Sequence, residues 1–278
     1  MSIEIISADH FTVQELVDLY NQTRVDYLVP MPMNVERLAE YIQLFDIDLR
    51  LSSVARTDEG QVLGLSMLGV RPPLAWITRL GVLPAIRRSG AGDALMDSML
   101  AHAQSLGMQE THLEVIRNNV PAHRLFLKKA FREVDEYLVL RRAPNSVPEA
   151  VQCDTIWLER EAALEALESY PRHLTWITAL ASMHNAPDLS GIRVEFADGS
   201  SGWLVFRCHK FSLSHLIFHT EQGSPVKVGI QLLATLYSRY PRHDTYAENI
   251  HVEDPHLPAL LGMGFFDNFR RIEMRRKM

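Results

Sequence analysis

Residues 80–95 read Leu-Gly-Val-Leu-Pro-Ala-Ile-Arg-Arg-Ser-Gly-Ala-Gly-Asp-Ala-Leu: an apolar run, a tight loop and the opening of a helix. The chemistry that suits this order is anion binding. Backbone N–H groups at a helix start lack intrahelical acceptors, and the helix dipole adds positive potential there, so phosphate oxygens are natural partners. Gly90 and Gly92 let an anion approach the backbone closely, and Arg87 and Arg88 bring positive charge to the mouth. Gly81 inside a strand implies a bulge or a close backbone approach. The loop lacks the Gly-Lys-Ser/Thr ending of a nucleotide P-loop and the spacing of a dinucleotide fingerprint. On local sequence alone, a phosphate site and a flexible loop capping a core helix fit equally.

A second stretch, residues 113–131, reads Leu-Glu-Val-Ile-Arg-Asn-Asn-Val-Pro-Ala-His-Arg-Leu-Phe-Leu-Lys-Lys-Ala-Phe. It places a carboxylate, Glu114, on a short strand between apolar neighbours, either as a proton acceptor in a cleft or as an outward solvated residue. Asn119 precedes a helix that starts near Pro121 and suits a turn there. Together, Val-x-Pro-x-x-Arg-x-x-Gly-x-Gly in the first stretch and Leu-Glu-Val, Asn, Ala and an aromatic before Phe131 in the second resemble the two signatures of the GNAT acetyltransferases. The resemblance spans about residues 3–141.

That resemblance implies an acetyl-CoA-dependent N-acetyltransferase that moves an acetyl group to a primary amine of a small molecule or peptide by direct attack. The cofactor would lie in a wedge where the fourth and fifth strands splay. Backbone groups of Leu80, Gly81 and Val82 would pair with the pantetheine arm. The N–H groups of Arg88, Ser89, Gly90, Ala91, Gly92 and Asp93 would hold the pyrophosphate, with Arg87 beside them, and Asn119 would orient the pantetheine. Glu114 would be the base. Two departures stand out. Phe126 occupies a cofactor-contacting position where most members carry a tyrosine acid, and it has no proton to donate; Ala130 replaces a glycine. Tyr137 and Tyr27 are the remaining phenols to consider as acids. The acceptor pocket would draw on Tyr20, Tyr27, Met31, Met33 and Tyr41. The alternative prompted by Phe126 is a non-catalytic acyl-CoA-binding or sensor protein.

The elements that must position these residues follow from periodicity. Helical spacing predicts helices over residues 12–22, 34–45, 91–106 and 121–129, with Asn34 as an N-cap and Gly107 as a stop. Strands are expected at 3–6, 49–56, 62–70, 76–83, 112–116 and 134–141, and residues 142–149, with two prolines, read as a linker. Beyond it, strands at 155–158, 192–196, 203–208, 213–219, 245–252 and 269–274, with a helix at 228–240, repeat that order. The expected fold is α/β (α+β): two GNAT-like domains, 1–142 and 151–278 joined by 143–150, each a mixed, mostly antiparallel twisted sheet flanked by helices.

Glu248 and Phe265 lie 134 residues beyond Glu114 and Phe131. The same offset sets Glu221 against Arg87, Ser224 against Gly90, Val226 against Gly92 and Glu253 against Asn119, and Pro225 removes an N–H. The second half therefore reads as a degenerate copy without its phosphate loop. The 278 residues carry a formal charge of -6 and are 47% hydrophobic, the balance of a globular chain and not of a nucleic-acid binder. Cys153 and Cys208 offer no disulfide framework. His209, His215 and His219 invite a zinc reading, but no Cys/His set has ligand spacing, so no metal is expected. A cytoplasmic protein is expected, with an amine as partner, neither nucleic acid nor membrane, and a homodimer allowed.

Overall fold

The computed structural model describes residues 2–146 and 148–278. They form two compact units: one runs through Asp135 and takes up Ile272–Met278, and the other is Glu136–Arg271.

The first unit contains β1 (Ile3–Ser7), α1 (Val13–Thr23), α2 (Val35–Leu44), β2 (Ser53–Thr57), β3 (Val62–Arg71), β4 (Leu74–Val82), α3 (Ala91–Ser105), β5 (Glu110–Ile116) and α4 (Val120–Lys128). Strands β1 to β4 pair antiparallel in turn, and β4 pairs with β5 in parallel. Helix α1 begins at a capping box: Thr12 Oγ1 accepts from Glu15 N, and the Glu15 carboxylate accepts from Thr12 N, which satisfies two orphan donors reciprocally. Asn34 caps α2 through the Arg37 N–H, as its sequence position predicts. The apolar face of α3 (Leu95, Met96, Met99, Leu100 and Ala103) is buried.

Strand β4 carries the feature that matters most. Its register against β3 shifts between Thr78 and Gly81, and Arg79 between them has φ 55°, so the strand bulges there. The parallel ladder to β5 runs from Leu74–Glu110 to Ile77–Leu113 and stops, although β4 continues to Val82 and β5 to Ile116. Past Ile77 the two strands part. Gly81 answers a close approach: a Cβ there would run into the Thr23 side chain at the end of α1.

The second unit repeats the order with β7 (Asp154–Leu158), α5 (Arg160–Glu168), α6 (Leu180–Asn185), β8 (Leu189–Glu195), β9 (Ser201–Cys208), β10 (Ser212–Gln222), α7 (Pro225–Arg239), β11 (Asp244–His251) and α8 (Leu257–Gly262). Strands β7 to β10 are antiparallel and β10 and β11 parallel. Helices α5, α6 and α8 were not expected from periodicity. Each has nine residues or fewer, too few to show a clear period.

The expected boundary at residue 142 is displaced. Strand β6 (Arg132–Arg142) falls within the expected first domain, but Tyr137 to Arg142 pair antiparallel with β11 inside the second unit. Strand β12 (Phe266–Lys277) starts in the second unit, and its last residues complete the first, where Met274 is fully buried beside Leu113, Val115 and Phe131. The two alternating strands have exchanged places, and alternation says which face is buried, not which neighbour covers it. Among the described residues no helix is long and apolar enough to cross a membrane.

Met274→Ala is expected to cost about 2–5 kcal/mol, the range for truncating a buried long side chain. Hydrogen exchange should show the lost protection in β5. Loss confined to the second unit would contradict the exchange of strands.

Candidate active site

The parted strands define the site. Thr78 and Glu114 are the first residues past the last rung of the ladder, and Glu114 is half-buried on β5. Tyr41 from α2 reaches them, with its hydroxyl 2.6 Å from Thr78 Oγ1. Burial pushes the Tyr41 phenol up, and Glu114 adds to this while Arg79 and Thr78 oppose it, so the Glu114 carboxylate lies within electrostatic reach of that hydroxyl. The bulge sends Arg79 toward the helices: its Nη1 donates to Tyr20 Oη at 3.0 Å, and its guanidinium lies 4.2 Å from the Tyr41 ring centre. The phenol of Tyr20 is thus committed to Arg79, and the residue is 1% exposed.

The segment after α1 touches each part of the expected cofactor groove. Arg24 Nη2 donates to Leu80 O at 2.9 Å, and its guanidinium stacks 4.1 Å from the Tyr27 ring centre. Asn119 Nδ2 donates to Tyr27 Oη at 3.2 Å. Asp26 holds Arg87 through two contacts of 2.6 and 2.7 Å, and that guanidinium keeps the Asp26 carboxyl below the usual carboxylate range. Arg87 is therefore paired within the protein, while Arg88 stands exposed. Met33 exchanges two backbone hydrogen bonds with the Asn21 side chain, which ties the loop carrying the half-buried Met31 and Met33 to α1. The sequence did not single out Arg24, Asp26, Thr78 or Arg79. The one local signal was Arg79, a charge within the apolar run Leu-Ala-Trp-Ile-Thr-Arg-Leu-Gly-Val.

The loop leading into α3 has the form of an anion cradle. Arg88 and Gly90 adopt φ 70° and 94°, the left-handed turns that gather successive N–H groups. Among the described residues, no backbone carbonyl accepts from the N–H groups of Arg88, Gly90, Gly92 or Asp93. Ser89 Oγ accepts weakly from Ala91 N at 3.4 Å. Asp93 puts a carboxylate in the first turn, but Lys128 and Lys129 pair with it at 2.7 and 3.1 Å, and Lys128 foremost holds it below the usual range. Among the described residues of the second unit, the matching loop forms no such cradle. Ser224 caps α7 with its own hydroxyl toward Lys227 N, Pro225 has no N–H, and Glu221 pairs with Arg193 at 2.8 Å.

Two expected site residues fall elsewhere. Tyr137 is 4% exposed in the second unit, edge-on to His251 at 5.5 Å, because β6 joins that unit. Phe126 is 6% exposed and packs against Phe131 with 6.2 Å between ring centres, a core position in place of an open cofactor wall. Asn119 takes the expected place before α4, capping it through Ala122 N at 3.4 Å, and its Nδ2 faces Tyr27.

Residues 14–131 match the model of the acetyltransferase (GNAT) family. The fold likeness extends further. A GCN5-related N-acetyltransferase from Sphaerobacter thermophilus superposes with a TM-score of 0.74 at 13% identity, covering 99% of this chain and 95% of that one. A tandem GNAT protein from the clavulanic acid biosynthesis pathway gives 0.65 at 15% identity, covering 99% and 98%. A putative acetyltransferase from Pyrococcus horikoshii gives 0.62 at 11%, covering 100% and 89%. Among curated proteins none matches the chain by sequence.

Phe126→Tyr should lower stability by about 1–3 kcal/mol in urea unfolding, since the added hydroxyl enters the core without a partner. Unchanged stability with faster acetyl transfer would instead place the para position of the ring in the cleft.

Proposed function

We propose that the first unit is an acetyl-CoA-dependent N-acetyltransferase for a primary amine of a small molecule or peptide. The observation that carries this reading is the cradle formed by the N–H groups of Arg88, Gly90, Gly92 and Asp93, from which no backbone carbonyl accepts among the described residues, set beside two parallel strands that part at Glu114. When bound there, acetyl-CoA supplies an acyl thioester, and the chain's own groups do the rest. N–H groups of Arg88 to Asp93 hold the pyrophosphate. The edge of β4 at Leu80, Gly81 and Val82, past the end of its ladder to β5, pairs with the pantetheine, with Arg24 moving off the Leu80 carbonyl it now occupies. Asn119 and Tyr27 flank that arm.

An ammonium cannot attack a thioester, so the acceptor must lose a proton first. Glu114 takes it, directly or through one water, with Thr78 and Tyr41 beside it. The leaving sulfur is protonated by Tyr27 or by water, because Phe126 and Tyr137 are packed away. Tyr20, Tyr41, Met31 and Met33 border the acceptor side. The second unit binds no cofactor, because a serine cap, Pro225 and a paired Glu221 stand where the cradle would be.

Calorimetry should give one acetyl-CoA per chain. Gly92→Pro removes one N–H at a first-turn position that tolerates proline, and affinity should fall about tenfold or more, the loss of a charge-assisted hydrogen bond. Two equivalents, or undiminished binding, would refute the single cradle.

Glu114→Gln should reduce turnover most near neutral pH and progressively less as pH rises, because the free amine then needs no base. A constant deficit across pH would make Glu114 a structural residue.

A further inference from the structure

His209 and His215, left without a task by the transferase reading, meet in the second unit. Strands β9 and β10 are joined by a tight turn in which the His209 N–H donates to Ser212 O at 2.9 Å. The turn sets the His209 ring between a carboxylate and a hydroxyl. Its Nδ1 lies 3.0 Å from Asp188 Oδ2, and its Nε2 lies 3.2 Å from Ser214 Oγ. On the other side of that hydroxyl, His215 Nδ1 is 2.9 Å away. Asp188 is held in place by Arg207, whose Nε donates to Oδ1 at 2.7 Å.

With His209 neutral, the contacts are satisfied as follows. The Asp188 carboxylate accepts the Nδ1–H of His209, which leaves the Nε2 lone pair facing the Ser214 O–H. The Nδ1–H of His215 then donates to the same Oγ. His215 is buried, and burial pushes its imidazole down to about 4, so it stays neutral, with one ring N–H to donate. The first unit keeps the carboxylate–arginine pair at its own hairpin, Asp46 with Arg71 at 2.6 Å, but has Pro72 and Pro73 in the turn. The imidazole is particular to the second unit.

A carboxylate, an imidazole and a hydroxyl in that order, each within hydrogen-bond reach, are what make a serine nucleophilic. We propose that Ser214 is an acyl-accepting nucleophile toward small carboxylic esters, with His209 as its base and Asp188 as the residue that positions His209. Ser214 Oγ bonds to the ester carbonyl carbon while its proton passes to His209 Nε2. The tetrahedral intermediate collapses, the bond from that carbon to the leaving oxygen breaks, and His209 returns the proton to that oxygen. Water, losing a proton to His209 in turn, attacks the acyl carbon; the bond from that carbon to Ser214 Oγ then breaks, His209 returns the proton to Oγ, and the carboxylic acid leaves. Ser214 is 9% exposed and the His209 side chain 34%, so access is restricted to small acyl groups. The inference is independent of the acetyltransferase reading, since every residue in it belongs to the second unit.

The test uses the full chain with diisopropyl fluorophosphate, read by peptide mass spectrometry, and with p-nitrophenyl acetate. One phosphoryl adduct on Ser214 and saturable ester cleavage are expected, both lost in Ser214→Ala and in His209→Gln. Asp188→Asn keeps an oxygen for Arg207 but presents an N–H to His209 Nδ1, which forces the wrong tautomer. Labelling should fall about a hundredfold or more, with the melting temperature retained and the downfield imidazole N–H proton signal gone. If Ser214→Ala does not fold, the more exposed His209→Gln decides. No adduct on Ser214 in the wild type, or labelling that survives His209→Gln in a folded chain, overturns the proposal.

Discussion

The parting of β4 and β5 is the constraint from which the candidate active site follows. Parallel strands joined by a regular ladder would leave no room for a ligand and no unpaired edge to hold one. The ladder ends because β4 bulges at Arg79, whose left-handed backbone costs about 1–2 kcal/mol for a residue with a side chain. What offsets that cost is visible: the Arg79 guanidinium bonds the Tyr20 hydroxyl and lies over the Tyr41 ring, which fixes α1 and α2 against the strand. The same device recurs in the second unit. His215 has φ 53°, and the β10–β11 ladder ends one residue earlier, at Ser214–Tyr246. The opening is thus a property of the fold, and the chemistry at its base is a property of the side chains placed there.

In the first unit those side chains are two arginines laid across tyrosines, with Arg24 and Arg79 each over two rings. A guanidinium on an aromatic face keeps its charge while shedding little of its hydration cost. The cleft is therefore polar without being loosely packed. The segment carrying Arg24, Asp26 and Tyr27 makes a contact with β4, with the loop before α3 and with Asn119, so it bridges all the parts a long cofactor would touch.

Much of this was legible in the sequence, and the pattern of what was not is instructive. The glycine loop, α3 and the Glu114 strand are local: each is written in a few adjacent residues whose conformational demands are specific. The bonds from Arg24 to Leu80 and from Asp26 to Arg87 join residues 56 and 61 positions apart, and nothing in either neighbourhood names the other. Phe126 lies in the core and not at the expected cofactor wall for a related reason. Its helical position is readable, but whether a ring ends in the cleft or the core depends on the tilt of α4 against Phe131. The Asp188, His209 and Ser214 cluster was invisible because its members come from a strand approach, a turn and a strand. Alternation accounted for the histidines of β10 but could not show that a turn would bring His209 to them.

The exchange of β6 and β12 bears on how the chain is made. Residues 272–278 supply buried side chains to the unit whose other residues end at Asp135. While ribosomes add residues from the N-terminus, that unit waits, with the side of β5 open, through the synthesis of the entire second unit. An open strand edge is a template for mispairing, and the nearest alternating strand available during that wait is β6. In the native arrangement β6 pairs with β11 and residues 272–278 close the unit whose other residues end at Asp135, so the unit translated first is the one completed last.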